Sequence, residues 1–303
     1  MKTGQPPQLF SVILYVAMNS LKTTLLMAFV SGMFLGGGWL TGGRRGVIFG
    51  LVLAAAFNFF CYYFSELLAL SMYSVRPLSM SSHRDEFLRV HPMMRNICDK
   101  MLLPSPKLWL VPDPSPNAFV VGRNAKNSSL CLTAGLLELL DDDELEAVIG
   151  HELAHILHGD LLINSLAATF GGVITFLSQN ALFFGSKAGE DERSRLKRFL
   201  LVILGPIAAG MIHLLVSSKR EFLADAEAIR FTASPHGLIF ALEKLENWSK
   251  RIPMDATFAT AHLFIVKPFT IGVISRMFTT HPETKDRIER LQAVASMKVA
   301  IPQ

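Results

Sequence analysis

The chain has 303 residues, of which 50% are hydrophobic and 18% are charged, and its formal net charge is +4. Together with a positive mean hydropathy, this composition indicates a membrane protein rather than a compact soluble enzyme. Lys and Arg form no long block, which argues against nucleic acid as a partner. The cysteines, Cys61, Cys98 and Cys131, lie far apart without a CxxC pair, which argues against a disulfide framework and a thiolate metal site.

The N-terminal part of the chain predicts a transmembrane hairpin. Residues 9–17 form an apolar patch that is too short to cross a bilayer core, which needs about 20 residues. No small-residue cleavage site follows the patch, so we expect no removed signal peptide. Residues 23–43 and 46–65 carry no charge and are each long enough to span the bilayer. Arg44 and Arg45 between them are predicted to form the turn.

Charges and prolines return in residues 71–160, which have the composition of a soluble domain. Apolar periodicity and turn residues predict a helix at residues 83–102, strands at 107–111, 118–121 and 129–133, and a helical stretch at 134–140. The C-terminal part is again soluble in type, with helices predicted at residues 242–248 and 282–297.

The chain is organised around the sequence His-Glu-Leu-Ala-His that begins at His151 and ends at His155. Two histidines four residues apart on a helix lie on one face, so both can reach one metal ion. Neutral imidazoles suit zinc, and Glu152 can act as general base on a metal-bound water. The acidic residues at 141–144 favour a helix start before the motif. Read alone, the motif also fits a helix with two solvated histidines.

Two further uncharged segments follow the motif, at residues 161–186 and 199–218. They predict a second membrane hairpin, although Pro206 and His213 weaken its second arm. The alternative is a helical hairpin buried in a soluble core. If the pair spans the bilayer, the metal site lies within about two helical turns of the membrane surface, at about 1.5 Å per residue.

A catalytic zinc needs a third protein ligand and an open position. His158 is a weak candidate because it lies on the same helix as the first two ligands, and the metzincin pattern fails because Leu161 stands where a third histidine is required. Glu221 and Asp225 lie four residues apart on a predicted helix and face the same way. Glu221 can therefore bind metal while Asp225 accepts the N–H of a ligand histidine, unless both belong to a solvated helix face.

With these motifs in this order, the sequence resembles the HtpX family of membrane zinc metalloproteases, relatives of the CAAX prenyl proteases. The resemblance covers nearly the whole chain. It rests on both apolar hairpins, Pro116-Asn-Ala-Phe-Val-Val-Gly122, the His-Glu-Leu-Ala-His sequence, Arg220-Glu-Phe-Leu-Ala-Asp225 and Thr280-His-Pro282.

The resemblance implies a mainly α membrane protein with a small β-sheet, two transmembrane helical hairpins and a gluzincin-like zinc metalloprotease domain. It implies one zinc ion per chain, held by His151, His155 and Glu221, with Glu152 as the catalytic base. It also implies cleavage of membrane and damaged proteins in membrane quality control. The expected location is a bacterial inner membrane, with the active site facing the cytoplasm. The Lys and Arg residues near the span ends do not decide this orientation, because both sides carry similar numbers.

By resemblance to gluzincin edge strands, the segment Asn117, Ala118, Phe119, Val120 and Val121 is expected to pair with an extended substrate through backbone hydrogen bonds. Val120 and Val121 replace an Ala-Thr pair that such proteins often have, which bears on substrate preference rather than on the metal chemistry.

Two further residues match the C-terminal pattern of the family, His281 and Arg287. Either can stabilise a transition-state oxyanion or brace the fold, and bracing is the favoured interpretation.

We divide the chain into an N-terminal hairpin (1–70), a first protease segment (71–160), a second apolar hairpin (161–218) and a second protease segment (219–303). The expected substrates are polypeptides, and membrane proteins in particular. The nearest alternative function is a narrow-specificity, prenyl-protease-like membrane peptidase. A more distant alternative is a membrane adaptor without catalytic activity.

Overall fold

The computed structural model describes residues 7–170, 218–249 except 233 and 235, the single residues 251, 263 and 265, and 282–299. Within this part the protein is mainly helical and has one four-stranded sheet. The helices are α1 (Pro7–Ser71), α2 (Arg84–Met101), α3 (Ala134–Leu139), α4 (Asp142–Leu157), α5 (Leu161–Phe170), α6 (Ser218–Phe231), α7 (Gly237–Ser249) and α8 (Thr284–Val299). The strands are β1 (Arg76–Pro77), β2 (Lys107–Val111), β3 (Ala118–Asn124) and β4 (Asn127–Thr133).

Helix α1 is bent into two antiparallel arms. Its backbone leaves the helical region at Gly42 (φ −145°, ψ 15°) and Gly43 (φ 54°, ψ −135°), and the positive φ of Gly43 is one that glycine adopts at little cost. The arms are joined by a hydrogen bond in which Asn58 Nδ2 donates to Ser31 Oγ over 2.8 Å. The bend therefore precedes Arg44 and Arg45, which corrects the predicted position of the turn.

The first arm of α1 is longer than the predicted span, because the helix already begins at Pro7 and includes the apolar patch of residues 9–17. In the described part of the chain, one helical stretch, Ile13–Ser71, is long and apolar enough to cross a membrane. Large apolar side chains such as Leu25, Phe29 and Leu40 are exposed along it. An exposed apolar helix of this kind is what a lipid environment requires.

The sheet has the strand order β1-β2-β4-β3. β2 runs parallel to β4, while β1 and β3 are antiparallel to their neighbours. The three predicted strands are present, and β3 and β4 are longer than predicted; β1 was not foreseen. β3 lies at one edge of the sheet, with Phe119 opposite Cys131 of β4.

Helix α4 is a central helix of the fold and packs against α2, α6, α7 and β3. Its start is fixed by a capping box, in which Asp141 Oδ1 accepts from Glu144 N (3.0 Å) and Glu144 Oε2 accepts from Asp141 N (3.1 Å). The chain leaves the helix through Gly159, whose φ of 71° suits glycine. Val148, Ile149 and other apolar residues of α4 are fully buried, which fixes the helix in the core.

Helix α5 begins the predicted second hairpin and packs against the first one. Ile163, Leu166 and Phe170 form a buried cluster with Leu26 and Cys61 of α1. The rest of the predicted second hairpin, residues 171–217, lies outside the described part of the chain, so that hairpin stays a prediction. The predicted C-terminal helices lie mainly within α7 and α8.

Candidate metal centre

Three potential ligands converge between α4 and α6. His151 and His155 lie one turn apart on α4, and their ring centroids are 4.9 Å apart. Glu221, in the first turn of α6, faces both: its Oε2 is 3.5 Å from His151 Nε2, and its Oε1 is 3.7 Å from His155 Nε2. All three side chains are buried, and one ligand atom from each lies within 4.8 Å of the others.

This arrangement fits a metal ion. Ligands at about 2.0–2.2 Å from a tetrahedral metal are separated from one another by about 3.3–3.5 Å, which is close to the two observed nitrogen–oxygen distances. His151 Nε2 is also fully buried and has no hydrogen-bond partner within the described part of the protein. A buried nitrogen without a partner is unfavourable unless a metal or water satisfies it. Two imidazole nitrogens and a carboxylate suit a first-row divalent metal.

His151 is oriented by residues from the C-terminal helices. Its Nδ1 is 2.9 Å from Asp225 Oδ1. Arg287 holds that carboxylate with two hydrogen bonds, from Nε (2.8 Å) and Nη2 (2.6 Å), and its Nη1 donates to the backbone oxygen of Ile265 (2.8 Å). Each of the three nitrogens of Arg287 thus makes one hydrogen bond to a structural partner, and Nη1 also lies 4.0 Å from Glu221 Oε2. The hydrogen bond to Asp225 places a proton on Nδ1 and leaves Nε2 for the metal.

Burial and neighbouring charges shift the pKa values of Asp225 and His151 in opposite directions. Burial raises the pKa of the Asp225 carboxyl, but Arg287 and His151 outweigh it and hold the pKa below its usual value. Burial lowers the pKa of His151, whereas the nearby carboxylates of Asp225 and Glu221 raise it to about 9. Without a metal, His151 therefore binds a proton readily, and this proton competes with a metal ion for Nε2.

His155 is oriented by residues from the turn after α4 and from α1 and α6. Its Nδ1 is 2.9 Å from Asp160 Oδ2, just beyond the end of α4. Arg220 Nε lies 3.0 Å from the same oxygen, and Asn19 Nδ2 donates to the other oxygen, Asp160 Oδ1, over 2.6 Å. Burial raises the pKa of Asp160, but Arg220 and His155 outweigh it and lower the pKa. Asp160 is therefore a buried, ionised carboxylate with partners on both oxygens.

Glu152 follows His151 on α4 and is only 2% exposed. Burial raises its pKa above the usual value for a glutamate, although the neighbouring histidines partly oppose the shift. A carboxylate whose pKa lies nearer to neutrality is better suited to accept a proton and to return it.

The structure therefore brings together five residues selected from the sequence: His151, His155, Glu221, Asp225 and Arg287. His158 lies apart from the metal group, with its ring 6.0 Å from that of Tyr15. His281 lies outside the described part of the chain.

Three residues around the site were not selected from the sequence, namely Asp160, Arg220 and Asn19. Asp160 lies five residues after His155, and Arg220 directly precedes Glu221. Their proximity in the sequence to predicted ligands is the signal by which both could have been selected. Asn19 gave a weaker signal, as a polar residue at the end of an apolar stretch. Its partner is 141 positions away in the sequence, and no local pattern predicts such a contact.

Comparisons with known proteins identify the family of the chain. Residues 84–295 match the model of Peptidase family M48. The protease HtpX homolog of Thermodesulfovibrio yellowstonii is 40% identical over 283 residues, which cover 92% of this chain and 99% of that protein. The protease HtpX homolog of Thermococcus sibiricus is 38% identical over 283 residues, covering 91% and 96%. The crystal structure of S. mikatae Ste24p is similar with a TM-score of 0.47 and 16% identity, covering 91% of this chain and 66% of that one. The resemblance to the HtpX family is confirmed, and the chain belongs to peptidase family M48 as a membrane metalloprotease.

Proposed function

We propose that the protein is a multi-pass zinc endopeptidase that hydrolyses peptide bonds in misfolded or damaged membrane proteins. The observation that carries the proposal is the buried convergence of His151, His155 and Glu221 beside the buried Glu152. The two histidine nitrogens and the carboxylate would supply the three protein ligands that a catalytic zinc site uses.

In this proposal one zinc ion per chain is held by His151, His155 and Glu221. Zinc bound there would supply a Lewis acid for the scissile carbonyl and the attacking water. Glu152 would accept a proton from the attacking water and deliver it to the leaving amine. Asp225 and Asp160 keep the two imidazoles in the tautomer that presents Nε2. Arg287 is proposed to act as a brace, because each of its three nitrogens donates a hydrogen bond to Asp225 or to the backbone of Ile265.

The substrate is proposed to bind along the outer edge of β3. Gly122 has both backbone groups turned away from β4, because its N–H donates to Ser165 Oγ (3.0 Å) and its oxygen accepts from that hydroxyl (3.1 Å). By the alternation of an antiparallel ladder, the N–H and C=O of Val120 point outward too. Asn117 Oδ1 already accepts from the N–H of Ala118. Val120 is therefore the residue of β3 whose backbone groups would pair with an extended peptide.

The membrane arrangement supports membrane proteins as substrates. Both arms of α1, and the segment that starts with α5, are proposed to cross the bilayer, so that residues 1–70 and 161–218 are hairpins between the protease segments 71–160 and 219–303. α5 begins only six residues after His155, or about 9 Å at 1.5 Å per residue. The site would then lie close to the membrane surface. From its resemblance to the HtpX family, the active site is proposed to face the cytoplasm from a bacterial inner membrane.

The test compares Glu152→Gln with His155→Ala and Glu221→Ala, each purified in detergent and supplied with zinc. The wild type is expected to bind one zinc per chain and to cleave casein. Glu152→Gln is expected to keep its zinc and lose cleavage, because it retains every ligand, whereas the other two variants should lose the metal. A zinc-free Glu152→Gln protein would contradict these assignments. A zinc-loaded wild type that leaves casein intact would favour a narrow-specificity peptidase.

A further inference from the structure

The first arm of α1 contacts the end of the metal-binding helix before it enters the predicted span. Tyr15 lies against His158, and Val16 fills the space beside Gly159, where an added Cβ would be 3.4 Å from its Cγ2. Asn19 is 3% exposed, although it lies on a helix whose outer face is mostly exposed and apolar. A buried amide at such a place is unfavourable unless its polar groups are satisfied.

The amide of Asn19 is satisfied by two acceptors that both belong to the turn after α4. Its Nδ2 donates to Asp160 Oδ1 over 2.6 Å and to the backbone oxygen of His158 over 3.3 Å. Both partners are oxygens, so the NH₂ group and not the amide oxygen must face them. The contact depends on donor chemistry and on the length of the side chain.

Asp160 links this contact to the metal centre. One carboxylate oxygen accepts from Asn19, and the other lies 2.9 Å from His155 Nδ1 and 3.0 Å from Arg220 Nε. With both oxygens held, the carboxylate cannot rotate away from the imidazole. Such outer partners fix the orientation of a ligand histidine, and losing one typically costs about 10–100-fold in metal affinity.

We infer that Asn19 is a positioning residue for the metal ligand His155, and that the N-terminal hairpin thereby completes the metal centre. The inference rests on the proposed metal site. It assigns to a residue of the membrane hairpin a role in metal binding, and it couples the first arm of α1 to the protease domain through one carboxylate.

The test measures zinc affinity by competition with a chromophoric chelator in detergent, together with the visible spectrum of the cobalt(II)-substituted protein. Asn19→Leu keeps the size of the side chain but removes the donor. It is expected to weaken zinc binding about tenfold and to alter the cobalt spectrum. The matched control is Asn58→Leu, which removes an amide of the same hairpin that donates to Ser31 and contacts no metal-site residue. The control is expected to match the wild type in both measurements.

Exchanging the side chains of Asn19 and Asp160 tests whether their direct contact affects zinc binding. Asn19→Asp places two carboxylates together, and Asp160→Asn places two NH₂ groups together when its oxygen still accepts from His155. Each single variant is expected to bind zinc more weakly. The double variant restores a donor facing an acceptor, so it should bind zinc more tightly than either single variant. If the losses of the single variants simply add up in the double variant, Asn19 does not act through Asp160, and its positioning role is wrong.

The outcomes separate the two proposals. If the wild type binds no zinc, or His155→Ala binds it as tightly as the wild type, the proposed metal site is wrong. If the wild type binds one zinc but Asn19→Leu and Asn58→Leu have equal affinities and equal cobalt spectra, the role of Asn19 is wrong while the metal site stands.

Discussion

The two histidines of the metal centre are oriented by carboxylates of the same kind, but from different parts of the molecule. Asp225 faces His151 Nδ1 at 2.9 Å, and Asp160 faces His155 Nδ1 at the same distance. Asp225 accepts a hydrogen bond from Arg287, which lies on α8 near the C-terminus. Asp160 accepts a hydrogen bond from Asn19, which lies on the N-terminal arm of α1.

The two histidines differ in whether the residues that orient them lie within the range of the family model. Asp225 and Arg287 both lie within residues 84–295, which match the family model. Asn19 lies outside that range, in the arm that continues into the predicted span. One proposed ligand is therefore supported within the range of the family model, and the other is supported partly by the first arm of α1. Disturbing each support in turn should reveal this asymmetry.

The largest effect is expected from Asp225→Ala. It leaves the guanidinium of Arg287, which is 2% exposed, buried without its carboxylate, and breaking such a pair costs about 3–5 kcal/mol. It also removes the acceptor of His151 Nδ1, so zinc affinity should fall by about 10–100-fold. Thermal unfolding in detergent with a chelator measures the first effect, and chelator competition measures the second.

The double variant Asp225→Leu with Arg287→Met separates these two effects. Replacing both charges by apolar side chains of similar size removes the unpaired charge, so stability should return towards that of the wild type. Zinc affinity should stay low, because His151 still lacks its acceptor. If zinc affinity recovered together with stability, Asp225 would be a purely structural residue.

Much of the domain could be predicted from the sequence because its signals are local. The motif of α4, the capping residues Asp141 and Glu144, and the spacing of Glu221 and Asp225 all act within one or two helical turns. These patterns correctly placed α4 and indicated that Asp225 would face a ligand histidine. The three strands were also found from local alternation and turn residues.

The supports behind the carboxylates could not be predicted in the same way. Arg287 meets Asp225 across 62 positions, and Asn19 meets Asp160 across 141 positions. Such contacts follow from how helices pack, which hydrophobic periodicity does not specify. For the same reason the sequence left two roles open for Arg287, and β1, a two-residue strand, gave no local signal.

A smaller effect is expected from Asp160→Asn. The asparagine oxygen can still accept from His155 Nδ1, but the charge that balances Arg220 is lost. Zinc affinity should fall about tenfold, near the lower limit for such partners. The matched control is Asp142→Asn, which removes a carboxylate that is 70% exposed and paired with Arg89. An exposed pair contributes little, so zinc affinity and stability should not change measurably. Equal zinc affinities for the two variants would contradict the claim that Asp160 orients His155 for metal binding.

The smallest effect is expected in the pH dependence of stability, through His158 in the turn after α4. His158 lies in the turn held by Asn19, and burial lowers its pKa from 6.5 to about 4. The unfolded chain therefore binds a proton between these two values while the folded protein does not, so stability falls as the pH drops below about 6.5. Between pH 7.5 and 6 the loss from this group is roughly 1 kcal/mol. His158→Gln should show a correspondingly smaller decrease in thermal midpoint over this range. His236→Gln, at an exposed histidine, should behave as the wild type. If His158→Gln lost as much stability as the wild type, the acid response would belong to groups outside this turn.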